Sequence, residues 1–471
     1  MPSTQTLSQP QVKGGLLRYI IPFWLEWSER EGFAQCVRKL DESGPIPIEE
    51  FEPWHHLYEY ILDCLRPDGG GAPLGRAWTC PLPERISLHC DKPKAPIASA
   101  FVETAGLMLF TTGVGFFWFD ISDEGGRMKH LGACQLSEAL WLQQHLSTAW
   151  NERYPTSFLL GGEKLSPLLW ARNLLSSLLQ QQVYFFDSKE LDGVSIPYRL
   201  LHFADAVISG PDDQPLSTRC CQLARGFGYK SIPAREVCTR SFTAFEGTCI
   251  HVGREGCAYM ANDSAPVFSK SDFLGRYERC YFWIYLLMLQ QSYALKLFAR
   301  RISESTSADP DADAEDTNRL LLEITGFLVR NEFASVSDID HINDFYRYGR
   351  AQLNIQEESR TLHDGLNAIT QLRNSTRQKQ EDQREKQADD RLEWALALLA
   401  LLAVISAVCD SVGLITGILD ASLRGGWWVA VGFMWLVVAG IVFLAFRLFT
   451  GRGLPQMHFK HRRKTGRKQC R

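Results

Sequence analysis

The sequence predicts an α/β or α+β N-terminal domain, a helical region with a long stalk helix, and a C-terminal two-helix transmembrane hairpin. Three observations predict it. Segments rich in β-branched and aromatic residues recur between about residues 15 and 265, helical patterning takes over after Ser271, and two apolar runs lie near the end of the chain. The expected boundaries are 1–270 for the α/β domain, 271–393 for the helical region and stalk, 394–449 for the two spans (394–419 and 427–449), and 450–471 for a basic tail.

Taken in order, Leu16 to Trp24 (LLRYIIPFW), Ala98 to Phe110 and Gly113 to Ile121 read as strands, with Thr111-Thr112-Gly113 turning the last two into a hairpin. Gly247 to Val252 and Gly256 to Met260 form a second short pair, turned at Gly253-Arg254-Glu255. Helical stretches intervene at Leu136 to Trp150 and Pro167 to Gln182. From Asp272 to Ile302 the chain is strongly apolar. Arg276, Glu278, Arg279, Gln290, Gln291 and Lys296 interrupt it with groups costly at mid-bilayer, so a buried helix is expected rather than a third span.

Ser303 to Thr317 is a polar, acidic linker, followed by a helix over Asn318 to Arg330. From about Ile339 a helical pattern runs on, with Gly349 and Gly365 as its weak points. Ile355, Leu362 and Ile369 recur every seven residues, with Leu366 and Leu372 filling the seam. That spacing favours packing against copies of the helix or against neighbouring helices. The charged stretch from Gln371 to Asp390 continues the same step through Thr376, Gln383 and Asp390, which would line a wet axis in a symmetric oligomer.

Each terminal apolar run exceeds the roughly 20 residues that span a hydrocarbon core of about 30 Å. The seven-residue link Asp420 to Gly426 leaves room only to turn the chain around. Nine Lys or Arg residues and no acid follow from Arg447 onward, which by the positive-inside rule places both termini in the cytoplasm of a multi-pass cell (inner) membrane protein. In the first run Ser406, Asp410, Gly413 and Gly417 share one helix face. Small residues permit close helix approach, and an intramembrane Asp faces a bundle interior or a water path, so these four are pore-lining candidates. Asp420 is a candidate at the outer mouth, and Asp410 is the candidate metal contact.

Composition narrows the remaining classes. Without the nine tail cations the body carries 41 basic against 54 acidic residues, which argues against nucleic-acid binding. The 13 cysteines include no CxxC, and Cys220-Cys221 is the closest pair, so reduced thiols are expected rather than zinc or a disulfide framework. No GxxxxGK[ST], HExxH or GxSxG occurs, and Pro73 interrupts the glycine-rich loop Gly69 to Gly75. An enzyme is not expected.

The order of domain, helical region, long helix, two spans and basic tail resembles the CorA magnesium channel family, most clearly over residues 272 to 460. The segments YLLMLQQSYALKLFARRI and FASVSDIDHINDFYRYGRAQLNI are similar to the helices preceding the stalk in its divergent members. The resemblance implies a homopentamer whose first spans line a path for divalent cations such as Mg2+, with no resident cofactor. The family's Gly-Met-Asn is replaced by Gly417-Ile418-Leu419, and Asp410 or Asp420 would supply a carboxylate ring instead. Two readings follow: a CorA-like cation channel, or a membrane-anchored sensor or effector whose N-terminal domain takes a ligand or protein partner.

Overall fold

The computed structural model describes residues 10–26, 32–48, 57–58, 61, 74–82, 84–90, 100–123, 134–147, 156–160, 162–186, 188–191, 194–197, 200–238, 240–307, 314–331 and 333–419, with isolated positions at 432, 435, 436, 439 and 440. The chain divides into two compact units, Met1–Ala368 and Ile369–Arg471.

The first unit is organised by one 14-stranded sheet. Its centre is β2 (Leu17–Trp24), β6 (Ala100–Phe110), β7 (Val114–Asp123) and β14 (Leu201–Ser209), all paired antiparallel to their neighbours in the order β6-β7-β2-β14. Their β-branched and aromatic content suits a pleated surface buried on both sides. Outward from β6 lie β4 (Gly75–Cys80) and β5 (Ile86–Cys90), and β5 continues through β9 (Thr156–Leu160) to β10 (Glu163–Leu165). On the far side β16 (Gly256–Ala261) joins β14 in parallel, and β15 (Thr248–Val252) pairs antiparallel with β16. The chain reaches that parallel position through the crossover that carries the helix after β14.

Glycine has a defined place in this centre. Gly106 stands opposite Trp118, and Gly115 stands opposite Phe23. A Cβ on Gly106 would fall 2.2 Å from the Trp118 ring, and one on Gly115 would fall 2.2 Å from Phe23. Each aromatic ring occupies the space that a side chain on its glycine partner would take.

Alternation along the strands divides the core into two layers. Leu17, Tyr19, Ile21 and Phe23 of β2, with Phe117 and Phe119 of β7, face α1 (Gly32–Glu42), α2 (Leu136–Ser147), α3 (Pro167–Leu179) and α4 (Leu216–Arg225). Ile20 and Trp24, with Phe116 and Trp118, belong to the opposite layer. After the short α5 (Arg235–Cys238), α6 (Val267–Lys270) and α7 (Asp272–Arg276), that layer is built by a π-helical turn at Tyr277–Tyr281, α8 (Phe282–Ser307), α9 (Ala314–Asn331) and α10 (Asp340–Gln352). The apolar segment within α8 is thus core: Leu286 and Met288 are fully enclosed, and buried Gln291 donates to Tyr346 Oη at 3.0 Å.

The last helix, α11 (Ile355–Leu419), is 65 residues long. The expected helical run breaks just before it, at Asn354, which takes φ 57. Asparagine tolerates this left-handed conformation, and its carbonyl accepts the Glu358 N–H to start the new helix.

The transmembrane hairpin expected at 394–449 is overturned, and with it the membrane channel function, the metal-transport reading and the multi-pass inner-membrane localisation. Among the described residues no helix is long and apolar enough to cross a membrane. Of the expected first span, the side chains are described only from Trp394 to Ser406, directly after the charged Glu393. Most of the second run, the turn at Asp420 to Gly426 and the tail 450–471 lie outside the described residues. The domain before the stalk is sheet-dominated, with helices packed on both faces of a largely antiparallel sheet.

Candidate functional site: an uncovered apolar helix

Helix α11 changes environment along its length. In its first turns Ile355, Leu362 and Leu366 are buried in the core layer formed by α8 to α10, so the seven-residue spacing there is satisfied by neighbouring helices of the same chain. Ile369 is half-buried, and the side chain of Leu372 lies outside the described residues.

From Gln371 to Glu393 the described side chains are exposed, Gln383 and Asp390 among them. The side chain of Thr376 lies outside the described residues. The stretch holds six basic and six acidic residues, a net charge of zero. Such a segment is kept helical by its propensities and by close pairs of opposite charge, and it needs no apolar cover.

Then the sequence turns apolar while exposure persists. Leu392, Trp394, Leu396, Leu398, Leu399, Leu401, Leu402, Val404 and Ile405 are all exposed, with Leu399 at 62%. At 100° per residue these positions surround the helix, so no single stripe accounts for them. A helix apolar on all sides is a buried helix by composition, since full burial of one such side chain contributes roughly 1.5–3 kcal/mol. Trp435 and Leu436, further along the same unit, are exposed as well.

The residues proposed for a cation path fall on this helix or beyond it. Ser406 is exposed. Asp410, Gly413 and Gly417 lie on the helical backbone of α11, where side chains are outside the described set, and Asp420 lies outside the described residues altogether. Asp410 as a metal contact therefore falls among undescribed side chains. Among the described residues no group of three or more His, Cys, Asp or Glu is placed to hold a metal ion.

Sequence reasoning passed over a second polar arrangement, inside the first unit. Arg18 stands opposite Asp120 across β2 and β7, and Asp120 stands opposite Thr104 across β7 and β6. Arg18 donates twice to the Asp120 carboxylate, at 2.6 and 2.8 Å, and Thr104 Oγ1 donates to it at 2.8 Å. The guanidinium also lies 4.1 Å from the centre of the Phe282 ring. Nearby, Asp205 is buried in β14 and accepts the Leu16 N–H at 3.0 Å through Oδ1, while Oδ2 has no hydrogen-bond partner among the described residues. Burial, reinforced by the negative charge of Glu278, pushes its carboxyl well above the usual range. This row fastens the sheet to the helix layer above it. Its groups are paired or held neutral, and they are enclosed, so the geometry suits structural work rather than turnover.

The sequence signal for the row was the interruption of apolar strands by single charges: Arg18 in LLRYIIPFW and Asp120 in GFFWFDI. A lone charge in a buried strand implies a partner, but only the pairing register says which one. No family model, curated protein or solved structure matches this chain, and none identifies it as CorA-like.

Proposed function

We propose that this chain is a non-catalytic, self-assembling module whose copies associate through the apolar section of α11. The observation that supports this reading is the run of exposed apolar side chains from Leu392 to Ile405, which encircles the helix. A two-helix coil covers about one stripe on each partner, so a helix apolar all round calls for neighbours on more than one side. Identical copies meet this need with matched segments. Side by side, they also bring together stretches of zero net charge from Gln371 to Glu393, whose interspersed signs permit pairing between chains. The reading therefore specifies three or more copies.

The test is the mass of the full chain in solution by light scattering coupled to size exclusion. Wild type is expected at three or more chain masses, and the double variant Leu399→Glu, Leu402→Glu at one, with an unchanged far-ultraviolet spectrum. A wild-type monomer at all concentrations overturns the reading. So does an oligomer that survives the double variant, or a monomer that instead floats with phosphatidylcholine vesicles.

A further inference from the structure

The uncovered part of α11 has a direction built into it as well as an apolar surface. Ala388, Leu392, Ala395, Leu399, Leu402 and Ser406 follow one another at alternating steps of four and three, and all six are exposed. Such steps keep to one side of a helix and mark the inward positions of a coiled coil. One heptad earlier the same positions fall on Glu381 and Glu385, so close packing begins at Ala388. The surface is already shaped there. Arg384, Gln387, Ala388, Arg391, Leu392 and Ala395 line one open hollow. Four of them, Ala388, Arg391, Leu392 and Ala395, stand at i, i+3, i+4 and i+7, the set of four neighbours that receives a knob from a facing helix. For a parallel copy in register, the knob that enters this hole is Leu392 itself, which is 63% exposed.

Charges beside the seam separate the parallel arrangement from the antiparallel one. Arg384 and Arg391 flank it on one side, Asp382 and Asp389 flank it on the other, and all four are exposed. Between parallel helices in register, a residue on the first flank meets the residue five positions later on the second flank of its neighbour. Arg384 then faces Asp389, and one heptad earlier the same two positions carry Arg377 and Asp382. In an antiparallel pair each flank meets its own kind, Arg beside Arg and Asp beside Asp, which is repulsive. Past Arg391 the two flank positions become Leu396 and Leu398, both exposed. Apolar flanks are covered when every helix has a neighbour on each side.

We propose that copies of this chain associate through α11 as parallel helices in register, with Arg384 of each against Asp389 of the next and Leu392 of each seated in its neighbour's hole. The inference rests on the assembly reading and adds to it the direction, the register and the contacts. Because unlike flanks meet, the contact is head-to-tail around the bundle and closes by rotation into a ring.

Two measurements on the full chain test this. Ala388→Cys and Ser406→Cys, made separately at exposed positions, are treated with a short bismaleimide, digested and mapped by mass, which separates their products from those of the native thiols. Each variant is expected to give its own peptide linked to itself, whereas antiparallel copies can bring at most one of the two positions opposite itself. In a dilution series at low salt followed by light scattering, Asp389→Arg is expected to raise the concentration of half-association about tenfold, because every contact in the ring changes from opposite to like charge. The double variant Arg384→Asp, Asp389→Arg exchanges the flanks and is expected to return that concentration to within about threefold of wild type. If the chain assembles through α11 but either cysteine variant gives no self-linked peptide, or the double variant associates no better than Asp389→Arg, the parallel register is overturned while the assembly reading stands. A wild-type monomer, or an oligomer that survives Leu399→Glu, Leu402→Glu, overturns both.

Discussion

His202 and Asp205 lie three residues apart on β14, and burial moves their protons in opposite senses. Burial lowers the His202 pKa to about 4, although its Nδ1 lies 3.3 Å from the Ala224 carbonyl, so the folded chain keeps this ring neutral where an unfolded chain would charge it. Stability contributed by His202 is present above pH 6.5 and is lost as pH falls toward about 4, an effect of up to ~3 kcal/mol. Asp205 acts the other way. Its raised pKa makes the folded state hold a proton that the unfolded chain releases above 3.8, so its contribution declines as pH rises. Urea denaturation of His202→Asn across pH 4 to 6.5 is expected to show a pH slope smaller by about one proton than wild type. Parallel profiles for the two proteins would refute the assignment. Neither residue was singled out in the sequence, and the strand Leu201–Ser209 that carries them was not anticipated; the shift comes from enclosure, and enclosure is a property of the packed layers.

At the scale of the element, β2, β6, β7 and the β15–β16 pair were the most legible, while central β14 was missed. Thr111 to Gly113 joins β6 to β7, and Gly253 to Glu255 joins β15 to β16, because alternating apolar runs with turn residues between them leave few other solutions. Short outer strands such as β9 and β10 were missed, since three to five residues carry too little pattern to stand out from loop. A continuous helical run from about Ile339 was expected, with Gly349 and Gly365 only as weak points, whereas the chain turns at Asn354, where the αL conformation is accessible. Cross-strand glycine and aromatic pairs could not be inferred without the register. Gly106→Ala is expected to cost ~1–3 kcal/mol, because its methyl group must displace an enclosed indole that has no flexible end to move aside. A chemical denaturation midpoint equal to wild type would show that the Trp118 cover yields freely.

For the whole molecule, the assembly reading makes stability depend on concentration. If apolar sections of α11 are buried only between copies, association stabilises the folded state by mass action, and Tm should rise as protein concentration is increased. Leu399→Glu, Leu402→Glu should abolish that rise, which calorimetry over a hundredfold concentration range would register; a rise of equal size in both proteins would exclude α11 as its cause. By itself the sequence determined that residues 394–419 form an apolar helix continuous with a charged one, because uninterrupted helical patterning and side-chain polarity are local properties. It also determined that the apolar segment within α8 is a buried helix, since charges and glutamines mark it against the bilayer. Only the tertiary structure decided where the seven-residue repeat is spent. Ile355, Leu362 and Leu366 fill the chain's own core, while Leu392 to Ile405 remain uncovered. The first apolar positions of α11 form a seam at seven-residue spacing that α8 to α10 cover, whereas those from Leu392 to Ile405 surround the helix and are exposed; cover depends on packing between segments distant in sequence.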